Sequence, residues 1–142
     1  MSDGDRGNPL SPSTADELGL AVRRARSDDA HVVVLSAEGR AFSVGGEVTA
    51  FAEADDVGVL VDDLAEALHR TVSDLHRMDA VVVAVVHGVA AGAGLALAAA
   101  ADLMLAGAST RLTLAYTAPT TASYLPQVVL LPWAAVPVRR TR

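Results

Sequence analysis

The stretch from Ala80 to Asp102 constrains this chain more than any other. It opens on a valine run, Val81-Val82-Val83-Ala84-Val85-Val86, and passes through His87-Gly88. A small-residue turn follows, Val89-Ala90-Ala91-Gly92-Ala93-Gly94, and then the run Leu95 to Ala101. β-Branched residues favour a pleated strand. Gly88, Gly92 and Gly94 interrupt that pattern and allow positive φ or close backbone approach. The Leu/Ala run is a strong helix former. The stretch therefore reads as strand, glycine turn, helix. A helix N-terminus after such a turn leaves backbone N–H groups free at the positive end of the helix dipole. It is suited to an anion or a developing oxyanion.

Two other readings compete. The stretch from Ala80 to Ala101 is uncharged if His87 is neutral, is long enough to span a bilayer, and holds a GxxxG at Gly88 and Gly92. Against a membrane span, the valine run breaks at His87-Gly88 and the second half is mostly weakly hydrophobic alanine. Asp79 and Asp102 bracket the stretch with no basic cluster close by. The other alternative is a buried strand-turn-helix of an α/β core with no chemistry attached.

Composition narrows the class. A chain of 142 residues is one domain with room for a sizeable core, and 51% hydrophobic residues argue against disorder. The absence of cysteine excludes disulfides and thiolate metal sites, and no metal is expected. Met1 to Asn8 is polar with no apolar h-region, so the expected location is cytoplasmic. A net charge of -6 argues against a nucleic-acid partner. Asp102 is the last acid. Beyond it the only charged residues are Arg111, Arg139, Arg140 and Arg142. With no lysine in the chain, any basic contact to phosphate must come from arginine.

Taken in order, Met1 to Pro9 reads as loop. Ser11 can cap a helix with Pro12 at its first position, and Leu18, Val22 and Ala25 carry the apolar spacing to about Arg26. His31 to Ser36 reads as a buried strand. Ala37 to Glu47 is a loop containing Gly45-Gly46, and a short helix over Val48 to Ala54 follows. Val57 to about Met78 is a long amphipathic helix, with Leu60, Leu64, Leu68, Thr71 or Val72, and Leu75 on one face. After the central stretch come a strand at Leu103 to Ala106, a turn, and Arg111 to Leu114. The order predicts an α/β fold with a mostly parallel sheet. After Thr117 no regular pattern holds, and Pro126, Pro132 and Pro137 limit any helix. Residues 1–117 thus read as the core and 118–142 as a divergent, irregular tail.

Two glycine loops, each after a strand and separated by a long helix, carry a resemblance. The residues are Val33-Val34-Leu35-Ser36-Ala37-Glu38-Gly39-Arg40-Ala41-Phe42-Ser43-Val44-Gly45-Gly46-Glu47, and then Ala84 to Ala98 through His87-Gly88-Val89-Ala90-Ala91-Gly92-Ala93-Gly94. They resemble the crotonase superfamily, the enoyl-CoA hydratase/isomerase family, over about Asn8 to Tyr116. Asn8-Pro9-Leu10-Ser11 is similar to the family's Asn-Ala-Leu-Ser before its first helix. The resemblance implies a spiral of ββα turns, incomplete at both ends, and a trimerising family of fatty acid metabolism. It implies an acyl-CoA thioester as substrate, so coenzyme A enters as part of the substrate and no separate cofactor is expected. It further implies an oxyanion hole made by the backbone N–H groups of Gly46 and Ala93, with Phe42, Val44, Gly45 and Gly92 in the thioester's neighbourhood. Two fixed donors on an enolate oxygen are worth several kcal/mol, roughly 3 or more.

The sequence also departs from the family. Hydratases of the family use two glutamates as acid and base. The first falls at Ala96 and the second near Tyr116. The aspartate of some isomerases falls near Thr120, after Pro119. None of these positions is acidic. Tyr116 is a candidate proton donor and equally a packing residue. His87 could act in proton transfer or hold a neighbour in place. Asp102 reads as structural, holding the next turn, and Glu47, in place of the family aspartate, as a helix-start or loop-bonding group. Family members also continue for about as long again and there supply trimer contacts, which points to a truncated or frameshifted product. The two functional expectations are therefore a lyase or isomerase acting on acyl-CoA, and a catalytically inactive fragment lacking the acid/base carboxylates.

Overall fold

A computed structural model describes residues 1–114 of the chain. The expectations for Tyr116, Pro119, Thr120 and the tail 118–142 lie outside the described residues. Within them the chain alternates strand, strand and helix. Strand β1 (Pro9–Leu10) leads to helix α1 (Pro12–Ser27); β2 (Val32–Leu35) and β3 (Gly45–Gly46) lead to α2 (Val48–Glu53) and α3 (Val57–His76). Strands β4 (Val81–Val86) and β5 (Val89–Ala91) lead to α4 (Ala93–Ala99), and β6 (Leu103–Ala106) and β7 (Arg111–Thr113) close the described part.

Among the described residues every strand pair is parallel. One sheet has the order β2-β4-β6, with Val32 opposite Val81 and Val83 opposite Leu103. The remaining strands pair as β1-β3 and β5-β7, and an isolated bridge from Ser43 to Ala90 joins those two ladders into a second layer. Each ββ pair thus places one strand in each layer before a helix returns the chain. That is the ββα winding the resemblance implies. Parallel strands require such crossovers because their ends lie on opposite sides of the sheet.

The helices form where local chemistry starts and stops them. Ser11 accepts the Thr14 N–H at 3.2 Å, and Pro12 occupies the first helical position, where its missing N–H costs nothing. Asp56 accepts the Val59 N–H at 3.1 Å to start α3. Helix α3 buries Val61, Leu64, Thr71 and Leu75 and packs along α1. Val61 lies within that buried stripe, whereas the expected Leu60 is only partly buried. The core joins Val22, Leu35, Phe42, Leu75, Val82, Ala84, Val86, Leu97 and Ala98.

Five local expectations are corrected. Met1 to Pro9 is not all loop: a 3-10 turn spans Gly4–Arg6, and Pro9 already belongs to β1. The Val89–Gly94 turn is shorter than expected, because Val89–Ala91 is a strand paired with β7. The following helix begins at Ala93, not Leu95, since Gly92 supplies the turn. The strand over 31–36 is buried on one face only. Leu35 points into the core, whereas Val32 and Val34 are exposed among the described residues. The stretch 80–101 is two strands and a short helix, not one continuous span. Among the described residues no helix is long and apolar enough to cross a membrane.

Candidate active site

The two glycine segments, far apart in sequence, lie side by side. The Phe42 N–H donates to the His87 carbonyl at 3.0 Å, and the Ser43 N–H to the Val89 carbonyl at 3.1 Å. The Ala91 N–H returns a bond to the Ser43 carbonyl at 2.9 Å. This short ladder carries Gly45 against the start of α4. A Cβ on Gly45 would stand 2.9 Å from the Ala91 carbonyl oxygen and 3.8 Å from the Ala93 nitrogen, and Gly45 has φ +93°. Glycine is needed there on both counts. Gly94 answers from the other side: a Cβ on it would run into the Ser43 side chain.

The backbone donors follow from these ladders. The Glu47 N–H donates to the Leu10 carbonyl at 3.2 Å. The Val44 N–H donates to the Gly7 carbonyl at 3.0 Å, so bonds to the β1 segment bracket Gly46 on both sides. Ala93 is the first residue of α4, whose first intrahelical bond runs from the Ala96 N–H to the Gly92 carbonyl at 3.0 Å. The Ala93 N–H therefore has no acceptor within its own helix. Gly92, at φ 51°, is tied by its N–H to the Thr113 carbonyl at 3.0 Å, which anchors this helix start to β7.

A buried polar frame, which the sequence did not reveal, supports the loop. Ser43 and Asn8 are wholly enclosed. Asn8 donates through Nδ2 to the Glu38 and Ala41 carbonyls, both at 2.8 Å. The Ser43 hydroxyl donates to the Asn8 carbonyl at 2.8 Å and accepts the Gly45 N–H at 3.2 Å. Asn8 has φ 54°, a left-handed conformation that asparagine tolerates better than most residues. The Asn-Pro pair and the serine before Gly-Gly were the only sequence traces of this frame. Phe51 of α2 was missed as well; a Cβ on Gly46 would meet its ring at 2.8 Å.

The remaining candidates take these places. Phe42 is fully buried in the core, and Val44 is half exposed with its side chain against Gly7. Ala96 presents an exposed methyl group on α4. His87 meets the Gly39 carbonyl through Nε2 at 2.8 Å, so Nε2 carries the proton and the ring ties the first loop to the end of β4. Asp102 accepts the Val82 N–H at 2.8 Å; it holds the start of β4 rather than the turn after it. Glu47 precedes α2 without capping it. Its carboxylate instead accepts from the Arg6 guanidinium and, at 3.3 Å, from the Thr49 hydroxyl. The hydrogen bond from Arg6 holds the Glu47 carboxyl below its ordinary range, with the Arg6 charge adding to it. Arg6 is raised in turn, chiefly by that same bond. Among the described residues no group of three or more His, Cys, Asp or Glu side chains could hold a metal ion.

Parallel ββα winding of this kind is matched by known proteins. The family model for enoyl-CoA hydratase/isomerase matches residues 1–123, and the chain belongs to that family. YhaR of Bacillus subtilis, named as an enoyl-CoA hydratase/isomerase, is 33% identical over 102 residues, 72% of this chain and 40% of its own length. EchA14 of Mycobacterium tuberculosis, named as an enoyl-CoA hydratase, is 35% identical over 112 residues, 75% of this chain and 41% of its own length. Among solved structures, an enoyl-CoA hydratase/isomerase family protein of Silicibacter pomeroyi superposes with a TM-score of 0.69 at 35% identity, covering 78% of this chain and 48% of that one. The chain spans about two fifths of the length of the curated relatives it matches.

Proposed function

We propose that this chain binds the thioester group of an acyl-CoA, with the carbonyl oxygen accepting from the N–H groups of Gly46 and Ala93. The observation that carries the reading is the abutment of Gly45 on the start of α4, 3.8 Å from a Gly45 Cβ position to the Ala93 nitrogen. The reading takes the N–H groups of Gly46 and Ala93 as the two donors, the latter with no acceptor within α4. A thioester enolate carries its charge on oxygen, and fixed donors stabilise that charge more than they stabilise the neutral carbonyl. Gly92 and Val44 line the neighbourhood of the thioester, and the buried Phe42 supports it from beneath. Relatives named as hydratases and as hydratase/isomerases support the substrate class.

A second reading, binding without turnover, is favoured by one observation. Ala96 puts an exposed methyl group where a family hydratase carries a glutamate. A methyl group neither activates water nor protonates an α-carbon. Hydration of crotonyl-CoA and isomerisation of an unsaturated acyl-CoA separate the two readings: turnover supports the enzyme, and binding alone the remnant.

Ala93→Pro tests the hole itself. Proline suits the first helical position and removes only the N–H in question. With turnover, the variant is expected to lose about a hundredfold or more in kcat. Without turnover, the absorption band of bound cinnamoyl-CoA is expected to lose its red shift, the sign of a polarised carbonyl. An unchanged kcat or band in a folded Ala93→Pro chain refutes the assignment.

A further inference from the structure

The end of β4 grips the loop that leads into the first glycine segment. The His87 Nε2–H donates to the Gly39 carbonyl at 2.8 Å, and the His87 carbonyl accepts the Phe42 N–H at 3.0 Å. Between those two bonds Gly88 packs against Arg40, where a Cβ on Gly88 would run into the Arg40 carbonyl oxygen. Residues 39–42 are thus held at three points. Glu38, Gly39 and Arg40 are exposed, so hydrogen bonds rather than burial fix their carbonyls.

Two routes run from this grip to Gly45. One is the backbone ladder that joins Phe42 and Ser43 to His87 and Val89. The other passes through Asn8. Its Nδ2 donates to the Glu38 and Ala41 carbonyls, on either side of Gly39 and Arg40. Its Oδ1 is buried and meets no hydrogen-bond partner among the described residues, so the amide takes its place from those two carbonyls. The Asn8 carbonyl then holds the Ser43 hydroxyl, which accepts the Gly45 N–H at 3.2 Å. A shift of Gly39 moves the carbonyls that seat Asn8, and through Asn8 and Ser43 it moves Gly45.

We propose that His87 is the positioning residue of the first glycine segment: its bond to Gly39 fixes where the Gly46 N–H stands relative to α4. The positioning is independent of the thioester reading, whereas its effect on a bound carbonyl rests on that reading. The same bond commits the Nε2 proton to the Gly39 carbonyl, so this nitrogen is a tether rather than a proton-transfer group. His87 is half-buried, and one such bond adds little to overall stability. A donor misplaced by about 1 Å, in contrast, costs up to about a hundredfold in rate.

Three variants test the role. His87→Leu removes the bond. His87→Gln keeps a donor at the same reach, because its Nε2 lies as many bonds from Cβ. Asp102→Ala removes the bond to the Val82 N–H at the opposite end of the same strand and is the structural control. In the ligand-free protein, amide hydrogen exchange at residues 43–45 is expected to quicken about tenfold in His87→Leu. It returns close to the original rate in His87→Gln and is unmoved there in Asp102→Ala. With turnover of crotonyl-CoA, His87→Leu is expected to lose about tenfold in kcat at unchanged KM, and His87→Gln to regain it. Without turnover, the red shift of bound cinnamoyl-CoA follows the same order.

A folded His87→Leu chain with unmoved exchange at residues 43–45 overturns the proposal, as does a His87→Gln chain that restores nothing. Quickened exchange with an unmoved kcat or band, where Ala93→Pro does move it, overturns the link to the Gly46 donor. If the unaltered protein neither turns over nor shifts the band, the thioester reading fails by itself, and the exchange rates alone decide the role of His87.

Discussion

Gly94→Ala perturbs the joint on which the candidate site depends. An added Cβ would run into the Cβ and hydroxyl of Ser43, with the Ser43 carbonyl oxygen at 3.2 Å. Ser43 cannot swing aside, because it is fully buried and its hydroxyl is held by the Asn8 carbonyl at 2.8 Å. Overpacking of this kind costs about 1–3 kcal/mol. Displacing the serine hydroxyl adds about 1 kcal/mol for the lost bond. The single substitution is therefore expected to cost about 2–4 kcal/mol, a large share of a typical domain's stability. Ser43→Gly removes the same hydrogen bond and frees the backbone, for about 2 kcal/mol. Independent effects would sum to about 4–6 kcal/mol in the double variant. The geometry predicts otherwise. Without a side chain at 43 the new methyl group keeps only the tight 3.2 Å approach to the residue-43 carbonyl oxygen, so the double variant should lie within about 1 kcal/mol of Ser43→Gly alone. Alanine's better helix propensity even favours it. Urea unfolding followed by far-UV circular dichroism, with midpoints compared at constant m, measures the cycle. A double variant that falls to the full sum of the singles would falsify the contact between α4 and the loop, on which the proposed pairing of Gly46 with Ala93 rests.

Asn8→Asp sets a carboxylate oxygen against the Glu38 and Ala41 carbonyls, each now 2.8 Å from an amide nitrogen. It is expected to cost about 3 kcal/mol or more in urea unfolding at neutral pH, and much less in acid, where the protonated acid can donate again. A loss that does not shrink as the pH falls contradicts the frame described for Asn8. Glu47 has a folded pKa depressed by Arg6, so its pairing stabilises the fold above the ordinary carboxylate value of 4.5 and is lost as the pH drops through the lower folded value. Glu47→Gln should flatten that part of the acid side of the stability profile, and an unchanged profile would show the pair to be idle.

The helices, and the strand-loop alternation between them, were legible in sequence because each rests on local chemistry. Ser11-Pro12 caps and starts α1, α3 shows in its apolar spacing, and the valine run is a strand on β-branching alone. The short strands β1, β3 and β5 were not legible. Pro9–Leu10, Gly45–Gly46 and Val89–Ala91 have no periodicity of their own and exist only through partners elsewhere in the chain. The strand over 31–36 was expected to be buried, because an apolar run looks the same whether one side is covered or two. The buried Asn8–Ser43 frame was invisible for a related reason, since a polar residue reads as surface until its partners are known.

The Ala80–Asp102 stretch carried in its own residues the strand, the glycines and the helix-forming run, because backbone preference acts over a few neighbours. Which carbonyl faces His87, and where Gly45 meets the start of α4, depended on chain segments 48 residues apart being brought together. Asp102 shows the same division. Its charge and its place before a strand were plain in sequence, but its bond to Val82 exists only because β4 and β6 lie side by side. Contacts across the sheets are made by packing, and packing is a property of the assembled chain rather than of any stretch of it.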